Sequence, residues 1–186
     1  AGFSLGAYMA ALVDADKGDL CDGIALISHS YNSLGSNKIL NSGIPKKLYL
    51  PYMMEKVHHL ASKNEYIVKN YPEALQSKTL DEYDQLYTCK EFGMESYIDY
   101  YDCHCLYKRI PYFKTPTFVL GAENDPFTSK SFMPIEEVEK SQFCAFVHVK
   151  EGGHVSFLTG MKAEKSYIDF TVLDFFDTIM NTKTCF

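Results

Sequence analysis

Nowhere does the chain hold the ~20 consecutive apolar residues that a membrane-crossing helix requires, and nowhere does it hold a run of basic residues. A formal net charge of −6 over 186 residues adds to the second absence and argues against a nucleic-acid partner. Paired metal-binding clusters are missing too. Cys103-His104-Cys105 is a single C-x-C with no second pair, which is poor zinc spacing and lacks the C-x-x-C of thiol redox enzymes. The six cysteines are irregularly placed, and the chain is too large to need a disulfide scaffold, so reduced, mostly buried thiols are expected. Internal repeats, low-complexity tracts and linkers are absent. What remains is 46% hydrophobic and 23% charged, the composition of a soluble globular domain with room for a sizeable core.

The chain is organised around its first residues. Gly2-Phe3-Ser4-Leu5-Gly6 spells G-x-S-x-G, the pattern of a nucleophile elbow, in which a strand turns sharply into a helix with a serine at the apex. Leu5, Tyr8, Met9, Leu12 and Val13 follow at helical spacing, so a helix opens at the serine. Crowding by strand and helix is the expected reason for both glycines. The backbone N–H of Leu5, at the helix N-terminus, is the expected oxyanion donor. An elbow also needs a strand before it, and three residues precede Ser4. The expectation is either the C-terminal part of something longer or a chain whose missing strands come from another chain, with a bare sheet edge open to self-association. Nothing in it testifies about targeting; a cytoplasmic protein is the working expectation, with an upstream membrane anchor left open.

The first helix is predicted to run to about Lys17 and stop at Gly18. Ile24-Ala25-Leu26-Ile27 reads as a strand buried on both faces. Residues 33–110 lack clear strands and read as a helical cap or insertion, with one helix around Met53–Leu60 starting near Pro51 and others at Glu65–Lys69, Leu80–Tyr87 and Met94–Tyr101. His58 and His59, about 100° apart on a helix, read as surface residues. Strands are predicted at Thr117–Ala122 and Cys144–Val149, separated by a helix at Pro134–Glu139, and a final apolar helix at Tyr167–Met180. Residues 1–32 and 111–186 then form the core of an α/β protein with parallel strands.

Parallel strands put all their carboxyl ends on one edge, so residues distant in sequence can meet there. A serine hydroxyl needs an imidazole to take its proton and a carboxylate to orient that imidazole. Ser4 is followed by Asp125 and then His154, each of the last two on a loop after a strand. The order Ser, Asp, His is that of the α/β-hydrolases. Ser28-His29-Ser30 offers no acid, Glu123 sits less deep in its turn than Asp125, and His148 lies within a strand and reads as a core residue.

These stretches, with Leu80-Asp81-Glu82-Tyr83-Asp84, Phe92-Gly93, Tyr97-Ile98-Asp99-Tyr100-Tyr101, Asn124-Asp125-Pro126-Phe127 and Gly152-Gly153-His154-Val155-Ser156-Phe157-Leu158, resemble the α/β-hydrolase superfamily. The resemblance is to the C-terminal portion of its branch of YheT-like bacterial esterases, yeast medium-chain ethyl ester synthases and animal lipid-cleaving relatives. It implies a partial α/β-hydrolase fold and a serine carboxylesterase or acyltransferase of lipid metabolism, with no cofactor and no metal. The implied substrates are short- to medium-chain acyl esters, cleaved by Ser4, Asp125 and His154. It also implies that a second oxyanion donor belongs to strands and loops before the elbow; losing such a donor costs roughly 10²–10³ in turnover. The rival reading is a truncated, non-catalytic fragment or interaction module.

Overall fold

The computed structural model describes residues 1–17, 20–160 and 162–183. In chain order the elements are β1 (Gly2–Phe3), α1 (Leu5–Lys17), β2 (Ile24–Ile27), α2 (Ser33–Leu40), α3 (Gly43–Ala61) and α4 (Glu65–Asn70). There follow α5 (Leu80–Tyr83), α6 (Cys89–Phe92), α7 (Tyr97–Cys103), β3 (Thr117–Ala122), α8 (Ile135–Lys140) and β4 (Cys144–Val149). A short antiparallel pair, β5 (Leu158–Thr159) and β6 (Lys165–Ser166), precedes α9 (Tyr167–Lys183). The chain divides into two compact units, Ala1–Tyr31 with Leu106 onward, and Asn32–Cys105.

In the first unit all four strands of the main sheet are parallel and stand in the order β1-β2-β3-β4. Side chains alternate across a strand, and both faces of this sheet are covered. Ile24, Leu26 and Val119 point to one side, where they pack with Ala7, Tyr8 and Ala11 of α1 and Val138 of α8. Ala25, Ile27, Phe118 and Leu120 point to the other, against Ile168 and Val172 of α9 and Phe157. This double burial is why β2 reads as an unbroken apolar run. Leu26, Ile27, Val119 and Leu120 are fully enclosed; truncating Leu26, Ile27 or Leu120 to Ala should cost roughly 2–5 kcal/mol.

Register sets the functional edge. Ile27 pairs with Leu120, and Leu120 with Val147. Three residues that leave the strands keep the ladder going: Ser4 N–H donates to Ile27 O (2.9 Å), Ser28 N–H to Leu120 O (2.9 Å) and Glu123 N–H to Val149 O (2.9 Å). The loops after β1, β2 and β3 therefore start from hydrogen-bonded positions rather than from loose chain.

Every regular element of the second unit is helical. Its longest helix, α3, begins at Gly43, so Pro51 lies in its interior and not near its start as the sequence led us to expect. Residues Asp84–Thr88, between α5 and α6, form a π-turn in an otherwise continuous helical run. Asp84 accepts from the hydroxyls of Tyr101 (2.6 Å) and Thr88 (2.7 Å). The predicted stop of α1 at Gly18 lies outside the described residues. Among the five cysteines described, Cys89 and Cys105 are buried, Cys144 half-buried, and Cys21 and Cys103 exposed, all as free thiols. The thiols are less uniformly buried than expected. No helix among the described residues is long and apolar enough to cross a membrane.

Candidate active site

Ser4 sits between β1 and α1 with φ +51°, a left-handed conformation that non-glycine residues rarely adopt and that strand-to-helix elbows impose. Its own carbonyl accepts from Ala7 N–H (3.1 Å), which closes the first turn of α1. A Cβ on Gly2 would stand 2.4 Å from Gly6 O and 2.7 Å from Ala7 Cα, so the helix can approach the strand only because residue 2 has no side chain. Gly6 is different: a Cβ there would meet no described atom within 4 Å. Crowding thus explains the first glycine of the motif and, contrary to expectation, not the second. Leu5 opens α1, and its N–H is among those a helix leaves without an internal acceptor.

Asp125 and His154, the expected acid and base, lie on the loops after β3 and β4. Asp125 is 5% exposed. Its Oδ1 accepts from the N–H of Phe127 (2.8 Å) and its Oδ2 lies 2.8 Å from His154 Nδ1. An ionised carboxylate only accepts, so Nδ1 carries the proton and Nε2 is left with its lone pair. That nitrogen lies 2.9 Å from Ser4 Oγ, across 150 residues of chain, and can accept the hydroxyl proton. The ring edge of Phe127 packs on the imidazole, with centroids 4.6 Å apart at 76°. Three side chains from three strand ends therefore form one continuous hydrogen-bonded line.

No family model matches the chain. Over 195 aligned positions it is 24% identical to YheT of Escherichia coli K12, covering 99% of this chain and 56% of that protein. Over 92 residues it is 28% identical to a monoacylglycerol lipase of Saccharomyces cerevisiae, covering 50% of this chain and 20% of the lipase. Among solved structures, a bacterial membrane phospholipase A superposes with a TM-score of 0.53 at 18% identity, over 97% of this chain and 56% of its own. This is an α/β-hydrolase fold. The chain spans about half the length of YheT and a fifth of the yeast lipase.

Within this α/β-hydrolase fold the other candidates are otherwise engaged. Glu123 forms an ion pair with Lys130 (2.6 Å) and approaches His148 Nδ1 at 3.6 Å. Lys130 holds its carboxyl below the usual range. His148 is only partly buried on the last strand of the sheet and stacks on Phe146, so it is less enclosed than the sequence suggested. In the helical unit His59 is exposed, whereas His58 is half-buried with its Nε2 3.1 Å from Ser77 Oγ. No metal-holding group of His, Cys, Asp or Glu occurs among the described residues.

One residue beside Ser4 was given no role in the sequence. His29, just after β2, is 7% exposed and places Nδ1 3.3 Å from Ser4 O. A carbonyl only accepts, so Nδ1–H donates and the imidazole supports the backbone of the elbow. Its ring stacks on Tyr8 and meets Tyr31 edge-on. Burial above all, with a smaller contribution from nearby His154, lowers its pKa to about 4, against the opposing bond to Ser4. His29 is therefore neutral at pH 7 and places no charge beside the elbow. Its position at a strand's carboxyl end was the one available signal.

Proposed function

We propose that the protein is a serine carboxylic ester hydrolase in which Ser4 is the nucleophile, His154 the general base and acid, and Asp125 the orienting carboxylate. The observation that carries this reading is the line Asp125 Oδ2–His154 Nδ1 (2.8 Å) and His154 Nε2–Ser4 Oγ (2.9 Å) at a left-handed elbow. In support, the yeast relative is named as a lipase.

Ser4 Oγ attacks the acyl carbonyl while His154 Nε2 takes the hydroxyl proton. The carbonyl π electrons move to oxygen, and Leu5 N–H is placed to stabilise the resulting oxyanion. Asp125 stays ionised and balances the imidazolium. The oxyanion collapses, the bond to the alcohol oxygen breaks, and His154 protonates that oxygen as it leaves. Water, or a second alcohol in acyl transfer, then gives a proton to His154 and attacks the acyl-serine. The second collapse frees the acid or the new ester and returns the proton to Ser4. Short- to medium-chain acyl esters are the proposed substrates.

A fluorophosphonate probe tests the reading directly in the intact protein. Wild type should become covalently labelled at Ser4 and hydrolyse p-nitrophenyl butyrate, and Ser4→Ala should do neither. Labelling that survives in Ser4→Ala, or an intact protein inert to both reagents, would sink the proposal.

A further inference from the structure

Building on the esterase reading above, we propose that Asn124 is a positioning residue that fixes where His154 stands. Asn124 Oδ1 accepts two backbone hydrogen bonds, from Gly152 N–H (2.9 Å) and Gly153 N–H (2.8 Å). Two donors converging on one atom require an oxygen there, so the carboxamide has one orientation. These bonds cross from the loop after β3 to the loop after β4, 28 and 29 residues along the chain. Asp125, the next residue, bonds the ring of His154, the residue after Gly153. Adjacent residues of the acid loop thus hold three consecutive residues of the base loop, one gripping backbone and the other gripping imidazole.

The other side of the base loop is fixed independently. Phe157 N–H donates to Gly152 O (2.8 Å), and the Phe157 ring fills the space beside Gly152. Between these two anchors the chain passes through Gly153 at φ +65° and delivers His154. Two adjacent glycines are the most mobile backbone available. Without the carboxamide, the turn before His154 keeps Phe157 but loses both bonds on the Asn124 side. The imidazole would then be held by its contacts with Asp125, Ser4 and the Phe127 ring, without a fixed backbone before it. Asn124 touches neither Ser4 nor the imidazole in the hydrogen bonds it makes to this loop, and it is exposed to solvent, so its removal leaves no buried gap in the core.

A misplacement of about 1 Å in a catalytic group costs roughly 10² in rate. In the intact protein, Asn124→Leu and the shorter Asn124→Ser should therefore lower kcat on p-nitrophenyl butyrate by up to about 10²-fold, with KM nearly unchanged. Asn124→Asp, whose carboxylate still accepts both N–H bonds, should recover most of the rate. A second readout does not depend on turnover: the downfield proton resonance of His154 Nδ1–H bonded to Asp125, which should persist in wild type and Asn124→Asp and broaden away in the Leu and Ser variants. Loss of both signals with recovery in Asn124→Asp supports the assignment. Wild-type kcat and an unchanged resonance in all variants overturn it. If wild type hydrolyses no ester, the esterase reading falls, and the resonance alone then decides for or against the clamp.

Discussion

The ring of Phe157 occupies the space a side chain on Gly152 would need: a Cβ there would lie 2.5 Å from Phe157 Cδ1 and 3.0 Å from Ala122 Cβ. Phe157 is 1% exposed and itself holds φ +44°, so it has little freedom to retreat. Gly152→Ala should destabilise the fold by about 1–3 kcal/mol through overpacking, read as a lower midpoint in urea unfolding. Because His154 lies two residues on, the variant should also lose ester turnover below its melting temperature. A midpoint equal to wild type would show that Phe157 can move aside.

Replacing Asp125 by Asn keeps the size of the acid and removes its charge. The amide can present its NH2 group to His154 Nδ1, which favours the tautomer with the proton on Nε2 and spoils the acceptor that faces Ser4 Oγ at 2.9 Å. The expected loss in kcat is about 10⁴-fold, with substrate binding little altered. The measurement is steady-state hydrolysis of a p-nitrophenyl ester by intact wild type and Asp125→Asn. A drop of less than tenfold would mean that Asp125 does not orient the base.

That Ser4, Asp125 and His154 would meet was legible because the evidence is order: a serine in a glycine-flanked turn, then an Asp and a His after strands whose apolar runs mark them as sheet. The helical unit was harder to read at its boundaries. Gly43 and Pro45 look like breakers, yet Pro45 falls in the first turn of α3, where a missing N–H is tolerated, and the helix then runs through Pro51. The start of α7 was misplaced by three residues although its signal was present. Ser96 Oγ accepts from Asp99 N–H (3.2 Å) and donates to Asp99 Oδ2 (2.6 Å), an S-x-x-D cap. Strands β5 and β6 are two residues each, too short for alternation to show. His29 acts through a backbone carbonyl, which no motif records.

His29 gives the fold a calculable response to acid. Its folded pKa of about 4 lies below the ~6.5 of an unfolded histidine. As pH falls below 6.5 the unfolded chain takes up a proton that the folded protein refuses, so stability present above pH 6.5 is lost progressively down to about pH 4. At 1.36 kcal/mol per unit the loss from this group is on the order of 3 kcal/mol. Urea unfolding at pH 7 and pH 4.5 should show it, and His29→Gln should show a shallower decline between the same two values. Equal slopes in the two proteins would place the acid sensitivity elsewhere.

Asp84 is the polar anchor of the helical unit, and Tyr101 is the contact that tests it. Burial raises the pKa of Asp84, while the hydroxyls of Tyr101 and Thr88 pull it back down. The same burial, with the Asp84 charge next to it, pushes the Tyr101 phenol far up, so Tyr101 remains a donor at any working pH. Tyr101→Phe keeps the ring, which packs against Tyr97 and Tyr100, and deletes the 2.6 Å bond. A half-buried carboxylate would then rely on Thr88 for its remaining side-chain donor among the bonds described. Losing a hydrogen bond to a charged group costs roughly 1.5–3 kcal/mol. With Tyr101 gone, Asp84 protonates more readily. The deficit should therefore be largest at neutral pH and shrink as pH falls toward the carboxyl range. Unfolding by urea at pH 7.5 and pH 5 in wild type and Tyr101→Phe measures both effects. A deficit that does not depend on pH would assign the loss to packing rather than to the Asp84 charge.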